Sequence, residues 1–119
     1  MTKRETIQRV ATPTAILVGV AEPMATVCTD ALADGGLRVL RVGHVAAAAE
    51  RIPVVMPQLV VVSTTLRPDE TDTLTDRCVA VGAEVIAVPP EQEGDGVALR
   101  KRLKDAANMA LIRSLRRGS

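Results

Sequence analysis

An α/β fold on a parallel sheet is predicted by three features of the sequence. Four short apolar runs rich in Val, Ile and Leu recur along the chain. Stretches with helical apolar spacing alternate with them. Gly or Pro stands at most junctions, where a chain reversal needs a breaker. Such alternation implies parallel neighbours joined by right-handed crossovers. The 119 residues suit one domain. The expected organisation is a polar N-terminal arm over residues 1–13 and a single domain over 14–117, including a C-terminal helix over 97–117.

The first strand is Thr14-Ala-Ile-Leu-Val-Gly-Val20, an apolar run that suits burial on both faces. Pro23 favours a helix start, and Met24, Val27, Cys28, Ala31 and Leu32 recur at helical spacing up to about Ala33. Gly35-Gly36 stops that helix. Leu37–Val42 is the second strand, with Leu37, Val39 and Arg41 on one face and Arg38, Leu40 and Val42 on the other. After Gly43-His44, the alanine-rich stretch from Val45 to about Ile52 favours helix, and Pro53 ends or kinks it. Leu59-Val-Val-Val-Ser63 is the most apolar strand and belongs at the sheet centre. A loop over Thr64–Pro68 leads to a helix capped by Asp69 or Thr71 and ended by Gly82, with Leu74, Cys78 and Val81 inward. Glu84–Val88 is the fourth strand, closed by Pro89-Pro90. Residues 91–96 are acidic, and Val97–Arg117 reads as one long helix.

Composition excludes several functions. There is no Phe, Tyr or Trp, so base-stacking platforms and cation–π cages are ruled out, and the core must be aliphatic. Cys28 and Cys78 fit no metal or redox spacing and read as free thiols in a reducing compartment. No apolar run reaches the roughly 18 residues of a membrane span. The start of the chain lacks the apolar middle of a signal peptide, so a cytoplasmic location is expected. No cofactor is implied. The net charge of +1 hides a segregation: residues 98–117 carry seven basic side chains against one acid, net +6, and the rest of the chain eight against thirteen, net −5. Such an asymmetry marks an acidic partner or nucleic acid as a ligand class to weigh.

Two phrases carry a family likeness. Ile16-Leu-Val-Gly-Val-Ala-Glu-Pro23 resembles the first strand and turn of response-regulator receiver domains, and Pro57-Gln-Leu-Val-Val-Val-Ser63 resembles their third strand. The likeness covers about residues 14–90. It implies a three-layer flavodoxin/receiver-like α/β fold; no fifth strand is found in this sequence, so the expected strand order is 2-1-3-4, with the fifth strand missing and the C-terminal helix in the place of the family's last helix. It also implies a signalling role. The family's Mg²⁺-holding acidic pair falls on Val20 and Ala21, and only Glu22-Pro23 follows the pattern. The phosphoacceptor position falls on Ser63, and the hydroxyl-bearing switch position on Pro89. Val20 and Ala21 offer a hard cation no oxygen, and a serine without an activating base is a poor nucleophile. A degenerate pseudo-receiver is therefore expected, not an enzyme and not phosphorylated by a histidine kinase.

Other constellations are weaker. Ser63, His44 and Glu22 supply hydrolase residue types, but in the order 2-1-3-4 strand 1 separates His44 from Ser63, and no G-x-S-x-G elbow exists. Ser63 and Thr64 read as satisfying loop backbone, and His44 as an exposed loop residue. Asp95 between two glycines reads as a helix cap. The last helix is the most informative element. It is about 30 Å long, whereas a five-residue strand spans about 17 Å. Leu99, Leu103, Ala106, Ala107 and Ala110 form its inward stripe. Met109, Leu111, Ile112 and Leu115, with Arg113 and Arg116, are expected in an overhang that binds a protein partner or a second copy, as is the exposed edge of strand 4. The alternative is a nucleic-acid-associated regulator using Arg100, Lys101, Arg102 and Lys104, although these surround the helix rather than line one face.

Overall fold

The two most apolar runs take the two central places in the sheet. In the computed structural model, which describes residues 13–89 and 97–117, strands β1 (Thr14–Val18) and β3 (Leu59–Ser63) are buried along their whole length. They are flanked by β2 (Arg38–Val42) and β4 (Glu84–Val88), giving the order β2-β1-β3-β4 with every pairing parallel. The edge strands carry the polar residues, because one rim of each remains in water. The expected N-terminal arm and the segment 91–96 lie outside the described residues, apart from Pro13. Among the described residues the sheet has four strands.

Side-chain alternation splits the core in two. Ala15, Leu17, Leu59, Val61, Ile86 and Val88 face one layer, and Ile16, Val18, Val60 and Val62 face the other. Helix α1 (Met24–Asp34) and helix α4 (Val97–Arg117) cover the first face. Helices α2 (Val45–Val55) and α3 (Pro68–Val81) cover the second. The C-terminal helix thus closes the face that α1 alone leaves open, with Leu103, Ala107 and Ala110 fully buried and Leu99 and Ala106 packed beside them. Aliphatic side chains suffice for this core, since each face needs only a single helical layer to exclude water.

Strand β2 starts at Arg38 rather than Leu37, and α1 runs Met24–Asp34 with Pro23 just before it. Three further boundaries differ from the sequence reading by more. Strand β1 stops at Val18, because Gly19 turns the chain at φ +64° and its N–H crosses to the Val42 carbonyl at 2.9 Å. Helix α2 continues through Pro53 to Val55. Proline there forfeits an N–H bond only in the final turn, where Met56, at φ 53°, caps the helix by donating its N–H to the Ile52 carbonyl at 2.8 Å. Helix α3 starts at Pro68, in the first-turn position proline prefers, so neither Asp69 nor Thr71 is the cap. The Glu70 carboxylate instead reaches back to accept the Arg67 N–H at 3.1 Å.

Candidate functional site

Parallel strands deliver their following loops to one margin, and that margin holds Val20, Ala21, Ser63 and Pro89. Val18 is in register with Val62, and Ser63 with Val88, so the three strand ends β1, β3 and β4 stand side by side. Val20 and Pro89 are half-buried and Ala21 is exposed. Among the described residues no cluster of three His, Cys, Asp or Glu side chains is placed to hold a metal ion.

Ser63 is buried and already engaged. Its Oγ lies 2.7 Å from Thr65 Oγ1 and accepts the Thr65 N–H at 3.2 Å. The Thr64 N–H donates to the Val88 carbonyl at 2.9 Å. The Ser63–Thr65 loop therefore satisfies its own polar groups, as small hydroxyl residues do at turns. His44 is exposed at the start of α2, and its carbonyl accepts the Ala48 N–H at 3.2 Å.

Glu22 turns away from Ser63 towards β2. One carboxylate oxygen accepts the Thr26 N–H at 2.8 Å, and both accept from the Thr26 hydroxyl at 2.8 Å. The Arg41 guanidinium lies 3.4 Å away and also donates from Nε to Thr29 Oγ1 at 3.0 Å. The Thr26 hydroxyl above all holds the Glu22 carboxyl below its ordinary value; desolvation, the next-largest influence, opposes it, and the Thr26 backbone N–H and the Arg41 charge add to the lowering. This acid is thus spent on the amino end of α1. Beside it a shallow cleft of about 320 Å³ opens between the ends of β1 and β2, lined by Gly19, Val20, Ala21, Arg41, Val42 and Gly43.

From sequence alone Arg41 reads only as a strand-face residue, and the network is not visible. The available signal was Thr26 and Thr29, three apart on α1 and therefore on one face.

A comparison of structures decides the fold type. No protein-family model matches the sequence, and no curated protein matches it. The structure is similar to the signal receiver domain of a putative Luxo repressor protein from Vibrio parahaemolyticus, with a TM-score of 0.55 and 18% identity, over 87% of this chain and 92% of that one. The chain has a flavodoxin/receiver-like α/β fold. Helix α4 reaches the opposite margin of the sheet, where Arg113 meets Glu84. No helix among the described residues is long and apolar enough to cross a membrane.

The receiver-fold scaffold sorts the expected overhang residues into two groups. Met109, Ile112 and Leu115 are exposed, at 52%, 44% and 72%. Leu111 instead turns inward and packs on the core beside Gly36, because its helical position falls next to the Ala107–Ala110 stripe. Arg113 reaches the first residue of β4, its guanidinium 3.4 Å from the Glu84 carboxylate. Arg116 falls in the last turn. At the start of the helix Arg100, Lys101, Arg102 and Lys104 are all exposed, and Lys101 pairs with Asp105 at 3.1 Å. A second apolar group escaped the sequence reading: Val54 (80%), Met56 (55%) and Val79 (74%) at the ends of α2 and α3. The run Val54-Val55-Met56 after Pro53 was its signal.

Proposed function

We propose that residues 14–117 form a single pseudo-receiver domain, a non-catalytic, cytoplasmic protein–protein interaction module in bacterial-type signalling or regulation. The reading is carried by one observation. At the carboxyl margin of a receiver-fold sheet, the positions where the resemblance calls for phosphorylation chemistry hold Val20, Ala21, Ser63 and Pro89, and Ser63 is buried in bonds to its own loop. Nothing at those positions binds a hard cation, so the charge of a transferring phosphoryl group would go unstabilised. Partner recognition then falls to constitutive surfaces, the outer face of α4 and the edge of β4.

Incubation with acetyl phosphate and Mg²⁺, read by intact-protein mass spectrometry, tests the reading. The expected outcome is an unchanged mass, and a stoichiometric phosphoprotein overturns it. The net +6 of residues 98–117 supports a second reading, a nucleic-acid-associated regulator. It is the weaker one, because the four cations of the first turns point around the helix rather than along one phosphate-tracking row. A duplex DNA titration across a salt series separates the two: the module reading expects no salt-dependent affinity.

A further inference from the structure

We propose that the domain assembles with copies of itself head to tail, the outer face of α4 on one copy docking on the outer face of α3 on the next. The inference rests on the reading of the chain as an interaction module and names the partner as a second copy.

Two helices on opposite layers carry matching patterns. On α3, Asp69, Asp72 and Asp76 are exposed and spaced three and four apart, so they lie in one row; Asp69 pairs with Arg67 at 3.5 Å, which leaves Asp72 and Asp76 as the charges the row offers a partner. Three residues on, the row ends in exposed Val79, and the tail of α2, the helix packed against α3, leaves Val54 and Met56 exposed. On α4, Lys101 and Lys104 are exposed and begin a row that passes Asn108 to Ile112, with Met109 alongside; Lys101 pairs with Asp105 on its own helix, so Lys104 is the cation this row offers a partner. Each helix therefore presents charge in its first turns and exposed apolar side chains in its later ones, where α4 also carries Arg113, Arg116 and Arg117. The signs of the charges are opposite.

The fold sets both helices in the same direction. Helices α2 and α3 end where β3 and β4 begin, so their exposed apolar groups lie at the amino margin of the sheet. The Arg113–Glu84 pair brings the last turns of α4 to that same margin. Because α3 and α4 cover opposite faces, shifting a copy along the sheet normal lays one on the other in parallel. Asp72 and Asp76 then meet Lys104, and Val79 and Met56 meet Met109 and Ile112.

The alternatives bring like charges together. A two-fold contact through α4 would appose two segments of net +6. A two-fold contact through α3 would appose two acidic rows. Only the heterologous contact is complementary in both charge and hydrophobicity, and such a contact leaves a free surface at each end, so assembly grows beyond two.

Sedimentation velocity on the full chain tests this. Wild type is expected to sediment as a concentration-dependent series in about 0.1 M salt, and its affinity to fall at least about tenfold in about 1 M salt, where the Debye length shrinks from about 10 Å to about 3 Å. Two variants change only exposed residues: Asp72→Lys with Asp76→Lys blocks α3, and Lys104→Glu with Ile112→Glu blocks α4. Each alone is expected to be a monomer with unchanged circular dichroism. Their equimolar mixture is expected to form a 1:1 pair and nothing larger, since each retains one competent surface. A wild type that stays monomeric, an α3 variant that still dimerises, or a mixture that gains no mass overturns the proposal. The acetyl phosphate reaction on the same samples keeps the two readings apart. An unlabelled monomer overturns self-assembly alone, whereas a labelled chain overturns the module reading whatever its mass.

Discussion

Gly35 lies against Ala107 so closely that a Cβ at Gly35 would collide with the alanine methyl. The contact joins the end of α1 to the middle of α4. The backbone of Gly35, at φ −79°, is one that any residue adopts, so the glycine is required by proximity and not by conformation. Gly35→Ala is expected to destabilise the fold by about 1–3 kcal/mol through overpacking. Adding Ala107→Gly should recover part of that loss despite its own cost of about 1 kcal/mol to the helix. Urea midpoints of the two single variants and the double variant check the coupling, and strict additivity would refute it.

Burial raises both thiols. Cys28 and Cys78 are fully enclosed, and each pKa is pushed up to about 11, for Cys28 against a slight downward pull from Arg41. An unfolded thiol titrates near 8.5. The folded chain therefore binds more protons than the unfolded chain between those values. The stability this contributes is complete below about pH 8.5 and is lost as pH rises towards about 11. Denaturation midpoints measured across that window should fall, and the fall should flatten in a Cys28→Ala, Cys78→Ala variant. At neutral pH a thiol reagent should label the chain only at its unfolding rate.

Glu22 behaves in the opposite sense. Its carboxyl is held below the ordinary value, so the contact with Thr26 and Arg41 is intact above the usual carboxylate range and is lost as pH falls through the lowered value. The Thr26 hydroxyl is the largest cause. A carbon-detected NMR titration should show Thr26→Ala raising the Glu22 midpoint more than Arg41→Ala does. The reverse order would assign the effect to the ion pair.

Ser63→Asp should not create a phosphoacceptor. The new carboxylate would enter a site that is 4% exposed, lose the hydroxyl contact with Thr65, and find no metal-binding acid at Val20 or Ala21. The expected result is no label from acetyl phosphate and Mg²⁺, together with a loss of about 1–3 kcal/mol in stability from a poorly satisfied buried group. A labelled variant would show that the acceptor alone was missing.

Most of the local structure was legible because it is dictated by neighbours in sequence. The run Leu59–Ser63, the breaker Gly82 and the unbroken span Val97–Arg117 each follow from the pattern of their own residues, and all three recur in the structure unchanged. The misread boundaries lie where two local rules compete. Pro53 breaks a helix interior but is tolerated in a last turn, and Pro68 outranks Asp69 and Thr71 as a helix start. The candidate site was half legible. Which residue types stand at Val20, Ala21, Ser63 and Pro89 is a fact of sequence, whereas Ser63's engagement with Thr65 and Glu22's turn towards Arg41 are not.

The chain's own residue pattern settles its aliphatic core, its alternation of strands and helices and the segregation of charge into the last helix, because each depends on composition or on spacing within one element. Tertiary structure alone decides that Leu111 faces inward and Met109 outward, that Gly35 must stay small, and that the acidic row of α3 runs in the same direction as the basic row of α4 on the opposite layer. Those are relations between elements far apart in sequence, and they arise only when the parallel crossovers bring every helix end to a common margin of the sheet.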